Sequence, residues 1–284
     1  MRPVIPLGIG LCALLSASIA GCHSTKAAPS DLDGLAHWYW QHYDGTSPVD
    51  NTTGADTDVV GATINLDAAI QAANAANQPS GTLTDLSDDE QAQITLDQPA
   101  DVSLAAGIYV EDTLDCTLDQ INRITIDLNQ DQLYPDAYDT YKRTYTSDSG
   151  AFTTGVTPYL TWVSNIDATV LGAAYHEDVD GGARSIVDDG TVSGSFGDAF
   201  MSRVVLISPA VYVDTSTSDS FDQDYQLEIY YPISDTSVQH FYALWRQYDY
   251  GHGLDQDSAT AQSLMIGKLF DFDKSNTAIC ATGF

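Results

Sequence analysis

A change of hydrophobic period at Pro99 constrains this chain more than any other feature. Before it, apolar residues recur at helical spacing. After it they alternate, and the alternation returns in segment after segment almost to the C-terminus. Residues 108–110, 121–128, 142–145, 159–163, 170–175, 183–187, 200–207, 225–231 and 238–248 read as strands. Turn residues punctuate them at 178–182, 188–194, 215–222 and 234–235. Strands joined by short turns pair antiparallel, because parallel neighbours need a crossover of a dozen or more residues. A last amphipathic segment, 257–270, carries Ala261, Leu264, Met265 and Leu269 on one stripe. The expectation is an α+β fold: N-terminal helices, then a curved antiparallel meander in a helix-grip-like arrangement, closed by a C-terminal helix.

Upstream of Pro99 three helices are expected. Ser30 and Asp33 make a capping-box-like start for 31–43, which ends in the aromatic run His37-Trp38-Tyr39-Trp40. A second helix covers 58–77, with Val59, Leu66, Ile70 and Ala73 on one face. Ser87 with Glu90 caps a third, short one that ends before Pro99. The chain thus divides into a leader (1–21), a polar tether (22–30), a helical region (31–98) and the sheet domain with its closing helix (99–284). No internal repeat is present.

The leader has Arg2 as a minimal positive region, an apolar run from Val4 to Ala20, and then Ile19-Ala20-Gly21-Cys22. This segment resembles the signal peptide and lipobox of bacterial lipoproteins, in which the cysteine thiol is lipidated and becomes the new N-terminus. A membrane-spanning helix is the rival reading, but Pro6, Gly8 and Gly10 interrupt the run and no basic cluster follows it. The resemblance implies lipidation of Cys22 and attachment to a membrane through acyl chains. His23 in place of Asp is similar to the pattern of outer-membrane lipoproteins, so the implied location is the cell envelope, at the outer membrane.

Charge narrows the partners. There are 40 acidic residues against ten Lys and Arg, a formal net charge of −30. Loss of the leader removes Arg2, leaving nine basic against 40 acidic residues, or −31. The acids are spread along the chain, as on a solvated, salt-tolerant surface. Nucleic-acid binding is excluded, since phosphate contacts need the missing basic residues. Cys12 leaves with the leader and Cys22 takes lipid, so Cys116 and Cys280 remain as an even pair in an oxidising compartment. They are expected to form one disulfide.

Chemistry-bearing residues are few. Strand 225–231 puts Tyr225, Leu227, Ile229 and Tyr231 on one face and Gln226, Glu228 and Tyr230 on the other. Strand 238–248 puts Phe241, Ala243 and Trp245 opposite His240, Tyr242, Leu244, Arg246 and Tyr248. In so basic-poor a chain, Arg184, Arg203 and Arg246 at strand centres are candidates, with Glu228 and His240, for the polar end of an aromatic-walled cavity. Cross-strand pairing with carboxylates is their structural alternative. His37 and His42 are five apart and do not share a helix face as two ligands would. No zinc-ligand spacing, no HExxH, no nucleophile elbow and no phosphate-cradling glycine loop occurs, so no metal and no cofactor is expected. The acidic turns at 178–181 and 255–257 could hold Ca²⁺ loosely, but neither matches the calcium-loop pattern.

The leading reading is a lipid-anchored envelope protein without enzymatic activity, whose sheet binds a small or apolar ligand or another envelope protein. A hydrolase using His176, His240, Glu228 and the arginines is the alternative, and a purely structural envelope protein is a third.

Overall fold

The computed structural model describes residues 28–43, 57–98, 100–170, 173–213, 219–249 and 256–284. Cys22, His252 and Asp255 lie outside the described residues, as do residues 215–218 of the expected 215–222 turn. In chain order the elements are α1 (Leu32–His42), α2 (Thr57–Ala75), β1 (Ser80–Leu83), α3 (Asp88–Gln91), β2 (Ala106–Leu114), α4 (Leu118–Ile126) and α5 (Gln130–Leu133). There follow β3 (Thr140–Tyr145), α6 (Ser149–Thr153), β4 (Tyr159–Val170), β5 (Ala173–Ile186), β6 (Ala199–Leu206), β7 (Val211–Tyr212), β8 (Ser220–Ser234), β9 (Ser237–Asp249) and α7 (Ala259–Ala281).

The strands form one curved antiparallel sheet in the order β1-β2-β9-β8-β6-β5-β4-β3, with β7 paired to the start of β5. This is the expected α+β class, with α7 gripped on one face. On the opposite face, called outer below, lie α1 and α2. Leu35, Ala36, Tyr39 and Trp40 of α1 and Val60 and Leu66 of α2 interlock there with Leu227, Ile229, Phe241, Ala243 and Trp245 of the sheet. The 31–98 region is therefore built into the same core, and β1 extends the sheet through pairing with β2. Because both faces of the central strands are covered, β8 and β9 are buried almost end to end, unlike an antiparallel sheet with one wet face.

Local signals explain most helix ends. The N-cap of α1 is Asp31 rather than Ser30; its carboxylate accepts from the Gly34 N–H at 2.8 Å. The Ser87–Glu90 capping box of α3 is present as expected.

Three expectations are corrected. Residues 121–128 do not form a strand: they lie largely within α4, where Thr117 and Gln120 form a capping box and Ile121 and Ile124 are buried together. The three short strands expected at 159–163, 170–175 and 183–187 are two long ones, β4 and β5. The presumed turn at 178–182 runs straight through β5, so neither His176 nor the acidic 178–181 segment stands in a turn. The Gly181-Gly182 pair serves close approach instead. A Cβ on Gly181 would lie 2.1 Å from the Trp162 indole nitrogen, and one on Gly182 would lie 2.6 Å from the Tyr43 hydroxyl. Finally, α7 runs well past Phe270, because Asp273, Asn276 and Cys280 are buried beyond it.

A cavity between the sheet and the C-terminal helix

The inner face of the sheet does not close on α7. A cavity of about 420 Å³ separates them. The period-2 alternation decides what enters it: Tyr141 and Arg143 from β3, Trp162 and Ile166 from β4, Tyr175, Glu177 and Val179 from β5, and Ser202 and Val204 from β6. From the middle of the sheet come Gln226, Glu228 and Tyr230 of β8 with Tyr242, Arg246 and Tyr248 of β9. The helix contributes Ala261, Met265, Leu269, Phe272 and Asn276.

Most polar groups in this wall are held by the protein. Arg246 pairs in a bidentate fashion with Asp224, Nε to Oδ1 at 2.7 Å and Nη2 to Oδ2 at 3.0 Å. The Gln226 amide donates to the same carboxylate, and its oxygen accepts from the Tyr242 hydroxyl at 2.6 Å. Arg143 lies 4.2 Å from the Trp162 ring centre and donates to the Thr125 and Asp127 carbonyls and to the Tyr141 hydroxyl. Tyr134, behind the helix end, donates to Asn276 and stacks on Phe272 at 4.6 Å.

Several groups in this wall are less fully satisfied, among them Arg143 Nε and Trp162 Nε1, which have no hydrogen-bond partner among the described residues. Ser202 Oγ, the cross-strand neighbour of Glu228, has no hydrogen-bond partner among the described residues. The Glu177 carboxyl, partly exposed to the cavity, also makes no hydrogen bond to the described residues. Burial pushes Glu177 up to about 8; the nearby Asp224 charge adds to this and Arg246 offsets part of it.

The candidate residues do not converge. Arg246 and Glu228 line the cavity. His240 lies sealed behind its wall, fully buried and stacked on Tyr230 at 4.1 Å, with Nδ1 2.8 Å from Asp273 Oδ1. Its Nε2 stands 3.5 Å from Glu228, which accepts a hydrogen bond from the Tyr230 hydroxyl. Burial alone would lower the His240 pKa, but Asp273 and Glu228 outweigh it and raise it to about 9.

Arg184 and Arg203 belong to the outer face, a correction to their expected place in the cavity. Their strand parity is that of Ile186 and Val205, which join the outer core. Arg184 donates to the His42 and Tyr43 carbonyls at the end of α1, and Arg203 lies 4.3 Å from the Tyr43 ring centre. His176 is on the outer face too, half-exposed between Asp167 and Asp178. The hydrolase reading required a histidine in a cleft, and neither His176 nor His240 lines this one. Cys116 and Cys280 are disulfide-bonded, which fastens the last turn of α7 beside the start of α4. Among the described residues no group of three or more His, Cys, Asp or Glu could hold a metal ion.

Glu177 escapes a reading from sequence because it stands in the acidic run His176-Glu177-Asp178, which resembles an exposed turn. Once β5 is continuous, parity turns Glu177 inward and its two neighbours outward. The inward set Tyr175, Glu177, Val179 was the available signal.

No family model matches the chain, and no curated protein matches it in sequence. Solved structures with a similar course of chain exist. A START superfamily protein from Mycobacterium smegmatis is 10% identical, covering 63% of this chain and 99% of its own, with a TM-score of 0.38. A STAR-related lipid transfer protein from Xanthomonas axonopodis is 14% identical, covering 65% and 90%, with a TM-score of 0.41. Human STARD10 is 8% identical, covering 70% and 82%, with a TM-score of 0.40. Similarity at this level concerns the path of the backbone and assigns no activity.

Proposed function

We propose that this is a lipid-anchored envelope protein that binds a small, mainly apolar ligand between its sheet and α7. One observation carries the reading: the inner face holds a cavity of about 420 Å³ walled chiefly by aromatic and aliphatic side chains, with few polar groups free to orient a guest. Ligand sites typically measure roughly 300–1,000 Å³ and have this composition. A core without such a purpose closes to near crystal density. Acylation of Cys22 would hold the domain at the bilayer that supplies apolar ligands, while the strongly negative charge of the chain keeps it off an anionic surface.

Titration with the lipophilic fluorophore N-phenyl-1-naphthylamine tests the binding reading. Saturable uptake at one probe per protein, reversed by a long-chain alcohol, is the expected result; uptake that never saturates refutes it. The anchor is tested separately by metabolic labelling with a radioactive fatty acid. Label should enter the native chain and be absent from Cys22→Ala, and equal labelling would refute lipidation.

A further inference from the structure

We propose that Glu177 recognises a positively charged head group, so that the preferred ligand is an amphiphile carrying an ammonium on an apolar chain. This rests on the binding reading above and gives it a chemical class. The argument starts from which charges in the wall are free. Asp224 holds the Nε–Nη2 edge of Arg246, whose Nη1 lies 3.5 Å from Met265 Sδ, and Arg143 donates to two carbonyls and a phenol. An anionic head at Arg246 would compete with the Asp224 carboxylate already paired there. Glu228 is engaged by Tyr230 and faces His240. Glu177 lines the cavity, is partly exposed to it and makes no hydrogen bond to the described residues.

A guest that fills the cavity covers the Glu177 carboxyl, and one that brings a hydrogen-bond partner avoids the cost of leaving that polar group unpaired. An ammonium offers three donors and the complementary charge. Tyr138 and Tyr175, whose phenols are raised chiefly by burial and further by the Glu177 charge, add aromatic surface that attracts a cation. The apolar end of the guest then lies along Val179, Val204, Met265 and Leu269.

Groups facing Glu177 set a pH dependence. They are Asp224 from β8, Arg246 from β9, Tyr138 before β3 and Tyr175 on its own strand; α7 presents Met265 and Lys268 to the same cavity. In the empty protein Glu177 keeps its proton up to about pH 8. An ammonium must displace that proton, so ammonium affinity should climb by about tenfold per pH unit below this value, while a neutral ligand shows no such slope.

The test compares decylammonium, decanol and decanoate as competitors of N-phenyl-1-naphthylamine, in the native chain and in Glu177→Gln. Decylammonium should bind the native chain about tenfold more tightly than the other two at pH 7.5. Glu177→Gln should lose about that factor for decylammonium while holding decanol to within about twofold. Equal ammonium binding by both proteins, or a preference for decanoate, overturns the inference and leaves the cavity reading standing if decanol binds. If none of the three competes, both readings fall. Should Glu177→Gln not fold, calorimetry of the native chain in two buffers decides. Close to one proton released per decylammonium bound at pH 7 supports the inference, and no release overturns it.

Discussion

The two faces of one sheet are filled by different rules. On the outer face large apolar groups interlock: Trp40, Trp245, Leu35, Leu227 and Ile229 are all fully buried, and the two indoles donate to the Glu90 and Thr84 carbonyls at 3.1 and 2.8 Å. On the inner face the same strands present tyrosines, carboxylates and arginines, each with a polar tip that must reach a partner. Such side chains are placed by their hydrogen bonds and cannot slide to fill space, as Leu or Ile can. A cavity survives where polar tips dictate the geometry, and side chains interlock more closely where large apolar groups predominate.

The contrast can be broken first at His240. Replacing it with Phe leaves Asp273 buried without its cation and should cost about 3–5 kcal/mol in chemical denaturation. Its pH signature is specific. The folded pKa is raised, so the stabilisation is complete below the ordinary 6.5 and disappears as pH rises through about 9. The gap between native chain and His240→Phe should therefore narrow across that window; a gap independent of pH would count against a buried imidazolium.

Packing density provides the next comparison. Leu227→Ala, in the outer core, should cost about 2–5 kcal/mol, whereas Val204→Ala, whose side chain borders the cavity, should cost less than about 1.5 kcal/mol. Equal losses in thermal or urea unfolding would mean that the inner face is as tightly filled as the outer.

The outer face has its own titrating group. Glu111, facing α2 from β2, is 3% exposed, accepts from Gln239 at 3.0 Å and has one oxygen without a partner. Burial raises it to about 7, opposed in part by its hydrogen bonds. The folded state then holds a proton that the unfolded chain has already lost, so stability falls as pH rises from the ordinary 4.5 through about 7. Glu111→Gln should flatten that decline, gaining roughly 1–2 kcal/mol relative to the native chain at pH 8 compared with pH 4. Stability curves that stay parallel would show that the carboxyl ionises normally.

The two faces were unequally legible in the sequence. Strict alternation in 225–231 and 238–248 assigned Leu227, Phe241 and Trp245 to one side and Glu228, Tyr242 and Arg246 to the other, as found. Alternation says which residues share a face but not which neighbouring strand has the matching parity. Arg184 and Arg203 were for that reason drawn towards Arg246, although they lie across the sheet from it. The Gly181-Gly182 pair read as a turn because the tight approach of Trp162 and Tyr43, which excludes a Cβ there, is a long-range fact. In 121–128 the alternation of Ile124, Ile126 and Leu128 obscured the capping box just upstream. The cavity itself had no sequence signature, since it arises from space that inner-face side chains leave unfilled.

The central claim, that the inner cavity is the binding site, is tested most directly by filling it. Val204→Trp places an indole in the cavity, while Val211→Trp places one on β7 at a position 65% exposed. Affinity for N-phenyl-1-naphthylamine should fall by more than about tenfold in Val204→Trp, with cooperative unfolding retained, and stay unchanged in Val211→Trp. Native-like affinity in a folded Val204→Trp would contradict the account.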